Sequence, residues 1–424
     1  MEKKKTATRK SIGLSRFRIE RCLQQPRTIF LTGATGYLGA HILSDLMSNT
    51  DTDIVCLVRA ANNDAAMLRI QNNLSKYNLQ NTTDDGDKET NNSWDRVLAI
   101  AGDLGKPLLG MNATVFKETA AEIDSIIHCG ADVNLIKPYS AVRAANVYGT
   151  QEILRLATTN GMVRTKVKPV HYISTNGVFP IDRDAYIADD VEIATTKEAT
   201  SMILCQEEHT AVERMAQEFL QEGYAQSKFV AEEMCIIARE QRGLPISIMR
   251  PGNMSVNSVT GKQNPNDFVY LFLQGCILLG LAPLEHYAFD LTPVDFAARV
   301  VVNAVYNNPT KVMGRTIHLQ NTNPCISMKY VIETLCSIGH SIESVGRDDF
   351  LQALRSTCDE ERKNGVQTSV LLQLESGFDA FEVYFRAATW MKFDTKKMHE
   401  TLDETGIVCP NISKDILQKM FPVV

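Results

Sequence analysis

Near its start the chain reads "RTIFLTGATGYLGAHIL", residues 27–43, and this stretch constrains the fold more than any other. Residues 28–32 are apolar or β-branched and predict a short buried strand. Gly33, Gly36 and Gly39 follow at three-residue intervals. Glycine allows a tight turn through positive φ and lets the backbone approach a ligand closely. From Tyr37 onward apolar residues recur at helical spacing, so a helix begins at the turn. Its free N–H groups and the positive end of its dipole then face whatever lies above the glycines. Strand, glycine turn and helix N-terminus together form an anion site, the pyrophosphate-binding unit of a Rossmann fold.

The rest of the chain repeats the alternation. "DIVCLVRA" (53–60) predicts a second strand, "RVLAIAGDL" (96–104) a third and "IDSIIHCGADV" (123–133) a fourth. "ANVYGTQEILRLA" (145–157) starts a long helix; "VKPVHYIST" (167–175), "LPISIMRPG" (244–252) and "RTIHLQ" (315–320) supply strands five to seven. Strands alternating with helices predict a parallel, doubly wound α/β sheet. A site for NAD usually carries an acidic residue after the second strand, to bind the ribose 2′-hydroxyl. Here that strand ends in Arg59, with Arg69 on the next helix. Guanidinium suits a 2′-phosphate, so NADPH is expected over NADH. Asp103, at the end of the third strand, is placed to accept from the adenine amino group.

Composition narrows the classes. A net charge of −6 argues against wholesale electrostatic binding to nucleic acid. The ten cysteines form no CxxC pair and the eight histidines show no ligand spacing, which favours a reducing, cytoplasmic setting without a structural metal. No apolar h-region follows the basic start, so no secretory signal is expected. The apolar run 268–284 is short for a membrane span and contains Gln274 and two glycines. It reads as a buried helix and turn, and as a wall for an apolar substrate. The polar stretch 78–95 reads as an exposed insertion.

The catalytic signal is "GYAQSKFVAEE", with Tyr224 and Lys228 four residues apart. On a helix that spacing stacks both side chains on one face. Free tyrosine titrates near 10, and a neighbouring ammonium favours the phenolate, bringing the group towards its working range. Lys228 can also hold the nicotinamide ribose. Strand five ends in Ser174 and Thr175. A hydroxyl from Thr175 would fix a substrate carbonyl beside Tyr224, and the set would stabilise the oxyanion formed on reduction.

These residues carry a closer resemblance. "LTGATGYLGAHIL", "CLVRA", "GDL", "PYSAVRAANVYGTQEILRLA", "YISTNGVF", "GYAQSKFVAEE", "MRPGN" and "LTPVDFAARVVV" occur in this order. Over roughly residues 27–307 the chain resembles the thioester reductases, the terminal reductase domains of nonribosomal peptide synthetases, polyketide synthases and carboxylic acid reductases. These are extended short-chain dehydrogenases, a group whose glycine spacing matches the one found here. The resemblance implies NADPH-dependent reduction of an acyl or peptidyl thioester on a phosphopantetheine arm. An aldehyde leaves after collapse of the hemithioacetal, and a second reduction would give the alcohol. Carried over, Thr175 (preferred to Ser174), Tyr224 and Lys228 are catalytic. Gly33, Thr35, Gly36, Tyr37, Leu38 and Gly39 cradle the pyrophosphate, and Arg59 and Arg69 hold the 2′-phosphate. Asp103 and Leu104 flank the cofactor, as do Pro251 and Gly252 of "RPGN" near the nicotinamide.

No adenylation motif and no carrier serine motif is found, so an acyl or peptidyl carrier protein must be supplied from elsewhere. A monomer or one part of a multidomain synthase is expected. The expected organisation is a basic arm or linker (1–26), an NADP-binding domain (27–260, with re-entrant pieces near 288–320) and a smaller, mainly helical substrate domain (261–424). The long segment 182–223 is expected to line the acyl entrance. The basic arm reads as a linker or as a docking element for an acidic carrier. The rival readings are a fatty acyl-CoA reductase, a sugar-nucleotide epimerase or dehydratase, a non-redox cyclase and an NADP-sensing regulator. Tyr224 counts against the last two, and Arg59 with "MRPGN" against the epimerase or dehydratase.

Overall fold

The computed structural model describes residues 25–79, 93–160, 167–180, 222–389 and 391–423, with positions 186–187, 212–213, 216–217 and 220. Residues 1–24 of the basic arm, most of the polar insertion and most of 182–223 lie outside the described residues.

Seven strands form one sheet: β1 (Thr28–Thr32), β2 (Asp53–Val58), β3 (Val97–Ala101), β4 (Ser125–His128), β5 (Val170–Ile173), β6 (Ile246–Pro251) and β7 (Thr316–Leu319). Their order is β7-β6-β5-β4-β1-β2-β3, and every pair is parallel. Chain order reverses at β1, where β1 pairs with both β2 and β4. Such a switch point opens a crevice at the carboxyl ends of the strands, where doubly wound sheets bind ligands.

Both faces are covered, as parallel sheets require. Along β1, Ile29 and Leu31 face one core, while Phe30 faces the other. The first core is closed by helices α1 (Tyr37–Asn49), α2 (Asn63–Lys76) and, from late in the chain, Val294–Val302. The second is closed by α3 (Ala113–Glu122), α4 (Gly149–Thr158) and α5 (Gly223–Arg242), while the helical run Tyr139–Arg143 and Ala144–Tyr148 (a π turn) packs through Tyr139 and Val147 in a smaller cluster with Ala225, Phe229 and Val230 of α5. Helix α5 is buried almost all round between Ala225 and Ile237.

A third core is built mainly from the C-terminal half. It joins α6 (Phe268–Leu279), α7 (Met328–Ser337), α8 (Arg347–Lys363), α9 (Val370–Ala387) and α10 (Lys414–Met420) around Phe272, Phe350, Phe378 and Phe385. The apolar run at 268–284 is thus a core helix and turn. Among the described residues no helix is long and apolar enough to cross a membrane. Between α9 and α10 the chain returns to the sheet: Met398, Leu402 and Cys409 pack in the first core.

Candidate active site

The glycine turn leaves β1 at Gly33, whose φ is +85°. A Cβ there would lie 2.8 Å from the nitrogen of Gly130, and one at Gly39 would lie 2.1 Å from the Gly33 oxygen. Only hydrogen fits at either place. The Gly36 N–H donates to the Gly33 carbonyl at 2.8 Å, and Gly36 caps α1 without a side chain. The first N–H groups of the helix therefore have no side-chain cap. Thr35 sits on the turn and Leu38 is buried beneath it. Tyr37 contributes backbone here, because its hydroxyl donates to Ser255 at 2.7 Å and Lys262 at 3.0 Å. Asn73 on α2, missed in the sequence, braces the turn by donating to the carbonyls of Ala34 (3.3 Å) and Gly36 (3.1 Å). A bare, rigid helix end with close-approach glycines fits a dinucleotide pyrophosphate.

Arg59 follows β2, and the Arg69 guanidinium donates to its carbonyl. Both are exposed at the carboxyl end of β2. Asp103, after β3, accepts from the Gly105 N–H at 2.9 Å through Oδ1. Its neighbour Leu104 lies against Gly130, just after β4, and against Gly149 at the start of α4.

The catalytic candidates meet at the ends of β4 and β5. Ser174 is buried and donates to Glu232, whereas Thr175 is partly exposed and its Oγ1 accepts from the Gly177 N–H at 3.1 Å. Tyr224 lies in the first turn of α5, hydrogen-bonded to the Thr175 side chain. One turn on, the Lys228 Nζ donates to the Ile173 carbonyl at 2.7 Å and lies 4.1 Å from the Tyr172 ring centre. Burial draws Lys228 down to about 8. Tyr224 is pushed above its ordinary value by burial first, then by Cys129 and Glu222, with the Thr175 bond opposing. The four-residue spacing alone implies an ammonium that draws the phenol down. Desolvation of the phenolate outweighs that effect, and Lys228 is engaged by Ile173 and Tyr172.

Two supporting networks join residues far apart in the sequence. The buried Asn146 on the π turn donates to Ser227 Oγ at 2.8 Å and to the Asp132 carbonyl at 3.1 Å; Ser227 in turn donates to the Tyr224 carbonyl at 2.7 Å. The loop after β4 is thereby tied to the turn that carries Tyr224. Behind Thr175, Glu232 accepts from Ser174 and from Arg250 Nε at 2.9 Å, with Glu232 and Arg250 wholly buried. A single arginine inside the apolar "ISIMRP" was the available hint, since a buried charge needs a partner. After β6, where Pro251 ends the strand, the Gly252 N–H donates to Leu319 at 3.0 Å and the Asn253 N–H to Asp290 at 3.2 Å. Burial pushes Asp290 up to about 6.

Comparison with known proteins agrees with this fold. The NAD-binding family described as male sterility protein matches residues 31–301. The chain is 32% identical over 401 residues to a linear gramicidin synthase of Brevibacillus parabrevis, covering 93% of this chain and 7% of that protein. It is 33% identical over 299 residues to the large subunit of the L-2-aminoadipate reductase of Penicillium chrysogenum, covering 69% of this chain and 19% of that one. The chain thus spans a small part of these relatives. Among solved structures, the terminal R domain of the myxalamid PKS-NRPS pathway superposes with a TM-score of 0.75 at 33% identity, covering 93% of this chain and 90% of that one.

Proposed function

The chain belongs to the NAD-binding male sterility family and, within it, to the terminal reductase domains of nonribosomal peptide and polyketide synthases, and from that premise we propose that it releases a carrier-bound acyl or peptidyl thioester as an aldehyde, using NADPH. The observation that carries this reading is the convergence of Thr175, Tyr224 and Lys228 at the carboxyl end of β5, two strands from β1, which carries the glycine turn.

Each residue has a role set by its position. Gly33, Gly36 and Gly39 let the turn pack tightly on itself and on Gly130, and the N–H groups of α1 bind the pyrophosphate. Arg59 and Arg69 would take the 2′-phosphate, which supports NADPH over NADH. Lys228 would hold the nicotinamide ribose. Bound there, the nicotinamide supplies the hydride that reduces the thioester carbonyl carbon. Thr175 Oγ1 and the Tyr224 hydroxyl donate to the carbonyl oxygen. As negative charge grows on that oxygen, Tyr224 passes its proton to it, giving a hemithioacetal. Burial holds Tyr224 protonated, as an acid must be before it acts. The Tyr224 phenolate then takes back the hydroxyl proton as the carbonyl reforms and the C–S bond breaks, and the thiolate leaves on its arm and takes a proton from solvent. The relatives' place within synthases supports a carrier protein as the substrate's bearer, and the third core offers an apolar wall for the acyl group.

The test is mass spectrometry of products from carrier-loaded candidate thioesters incubated with NADPH or NADH. Aldehyde or alcohol formed with NADPH is expected, and the product reads the extent of reduction. Simple hydrolysis to the acid, or no release, overturns the proposal.

A further inference from the structure

Tyr224 occupies the least secure part of its helix. The first turn of any helix lacks intrahelical partners for its N–H groups. At α5 the capping residue, Glu222, makes no side-chain cap. Its carboxylate instead reaches across to the helical lobe and accepts from the Tyr384 hydroxyl on α9. The Tyr384 ring packs beside Phe268, the first residue of α6, at 5.5 Å between centres. Between Glu222 and Tyr224 stands Gly223, pressed so closely on the loop after β4 that a Cβ would lie 2.3 Å from the Tyr139 nitrogen and 2.5 Å from the Lys137 oxygen. The turn bearing Tyr224 is therefore clamped from two sides. The sheet holds it through Gly223 and Asn146–Ser227, and the helical lobe through Glu222.

We propose that Glu222 is a positioning residue for Tyr224, and that its hydrogen bond from Tyr384 sets the register between the acyl-binding lobe and the proton donor. The inference rests on the thioester-reductase reading. An acyl group lying along α6 and α9 places its carbonyl relative to those helices. The proton donor belongs to α5. Without a rigid tie, the two drift independently, and small misplacement of reacting groups is costly in rate. Glu222 touches neither substrate nor cofactor in this scheme, so its loss acts on kcat while leaving both binding sites built.

The experiment measures kcat and KM for a small pantetheine thioester, and NADPH affinity by fluorescence, in wild type, Tyr384→Phe, Glu222→Ala, Glu222→Gln and the double variant Glu222→Ala/Tyr384→Phe. Tyr384→Phe keeps the ring against Phe268 and removes only the hydrogen bond. Expected is a fall in kcat of roughly 5- to 20-fold for Tyr384→Phe and Glu222→Ala, with KM and NADPH affinity within about twofold of wild type. Glu222→Gln, which still accepts from Tyr384, should recover most of the rate. The double variant should be no slower than Glu222→Ala, because both single changes break one bond. An active wild type with Tyr384→Phe equal to it overturns this inference alone, as does a Glu222→Gln variant no faster than Glu222→Ala. Multiplicative losses in the double variant do the same. A wild type that consumes no NADPH with any thioester overturns the functional reading, and this inference with it.

Discussion

Replacing Glu232 with glutamine tests what holds the ends of β5 and β6 to helix α5. Glu232 lies on α5, Arg250 on β6 and Ser174 at the end of β5, so one carboxylate joins three elements directly behind Thr175. Both charged side chains are wholly shielded from water, with Nε and Oε1 2.9 Å apart. Attraction at that separation is worth about 6 kcal/mol at an effective dielectric near 20. Removing one partner of a buried pair typically costs about 3–5 kcal/mol, because the remaining charge keeps its desolvation penalty. Glu232→Gln preserves shape and can still accept from Ser174, so the loss isolates the charge. Urea unfolding should show a destabilisation of about 3–5 kcal/mol. The double variant Glu232→Met/Arg250→Met carries neither charge and should regain most of it. A loss under about 1 kcal/mol for Glu232→Gln, the scale of an exposed pair, or a double variant as unstable as the two single losses combined, would refute the assignment of Glu232 as the main counter-charge of Arg250.

Further expectations follow from the same geometry. Tyr224→Phe should bind NADPH normally while turnover falls at least about 100-fold, the scale of general acid catalysis; unchanged turnover removes Tyr224 from the mechanism. Gly39→Ala forces a Cβ to 2.1 Å from the Gly33 oxygen, so NADPH affinity should fall more than about tenfold, an effect of about 1.4 kcal/mol or more; a titration matching wild type would mean the turn yields freely. Arg59→Ala with Arg69→Ala should weaken NADPH far more than NADH, each charge-assisted bond being worth roughly 1.5–3 kcal/mol; equal weakening of both cofactors assigns the arginines to the fold. Lys228 titrates near 8 in the fold against an ordinary 10.5, so between those values the unfolded chain binds more protons and stability rises with pH; Lys228→Met should abolish that rise, seen as unfolding free energies at about pH 8 and pH 10.

The sheet was legible because strand and helix periods, and a glycine turn, are local properties of the chain. All seven strands lie within the segments that their apolar runs indicated, and Thr175 follows β5 while Tyr224 and Lys228 lie on one helix. Tyr224 and Lys228 share a face because a helix repeats about every 3.6 residues, which the letters "YAQSK" suffice to show. What tertiary structure decided is everything that depends on distance across the fold. Arg250 meets Glu232 from a different element, Asn73 braces a turn from the next helix, and Tyr384 reaches Glu222 across 162 positions of sequence. No spacing rule relates such residues, since their approach is set by how helices stack on the sheet. The same holds for the electrostatics. A lysine four residues away promised a more acidic Tyr224, but packing withdrew water from the phenol and sent Lys228 to the Ile173 carbonyl, so burial prevailed over proximity.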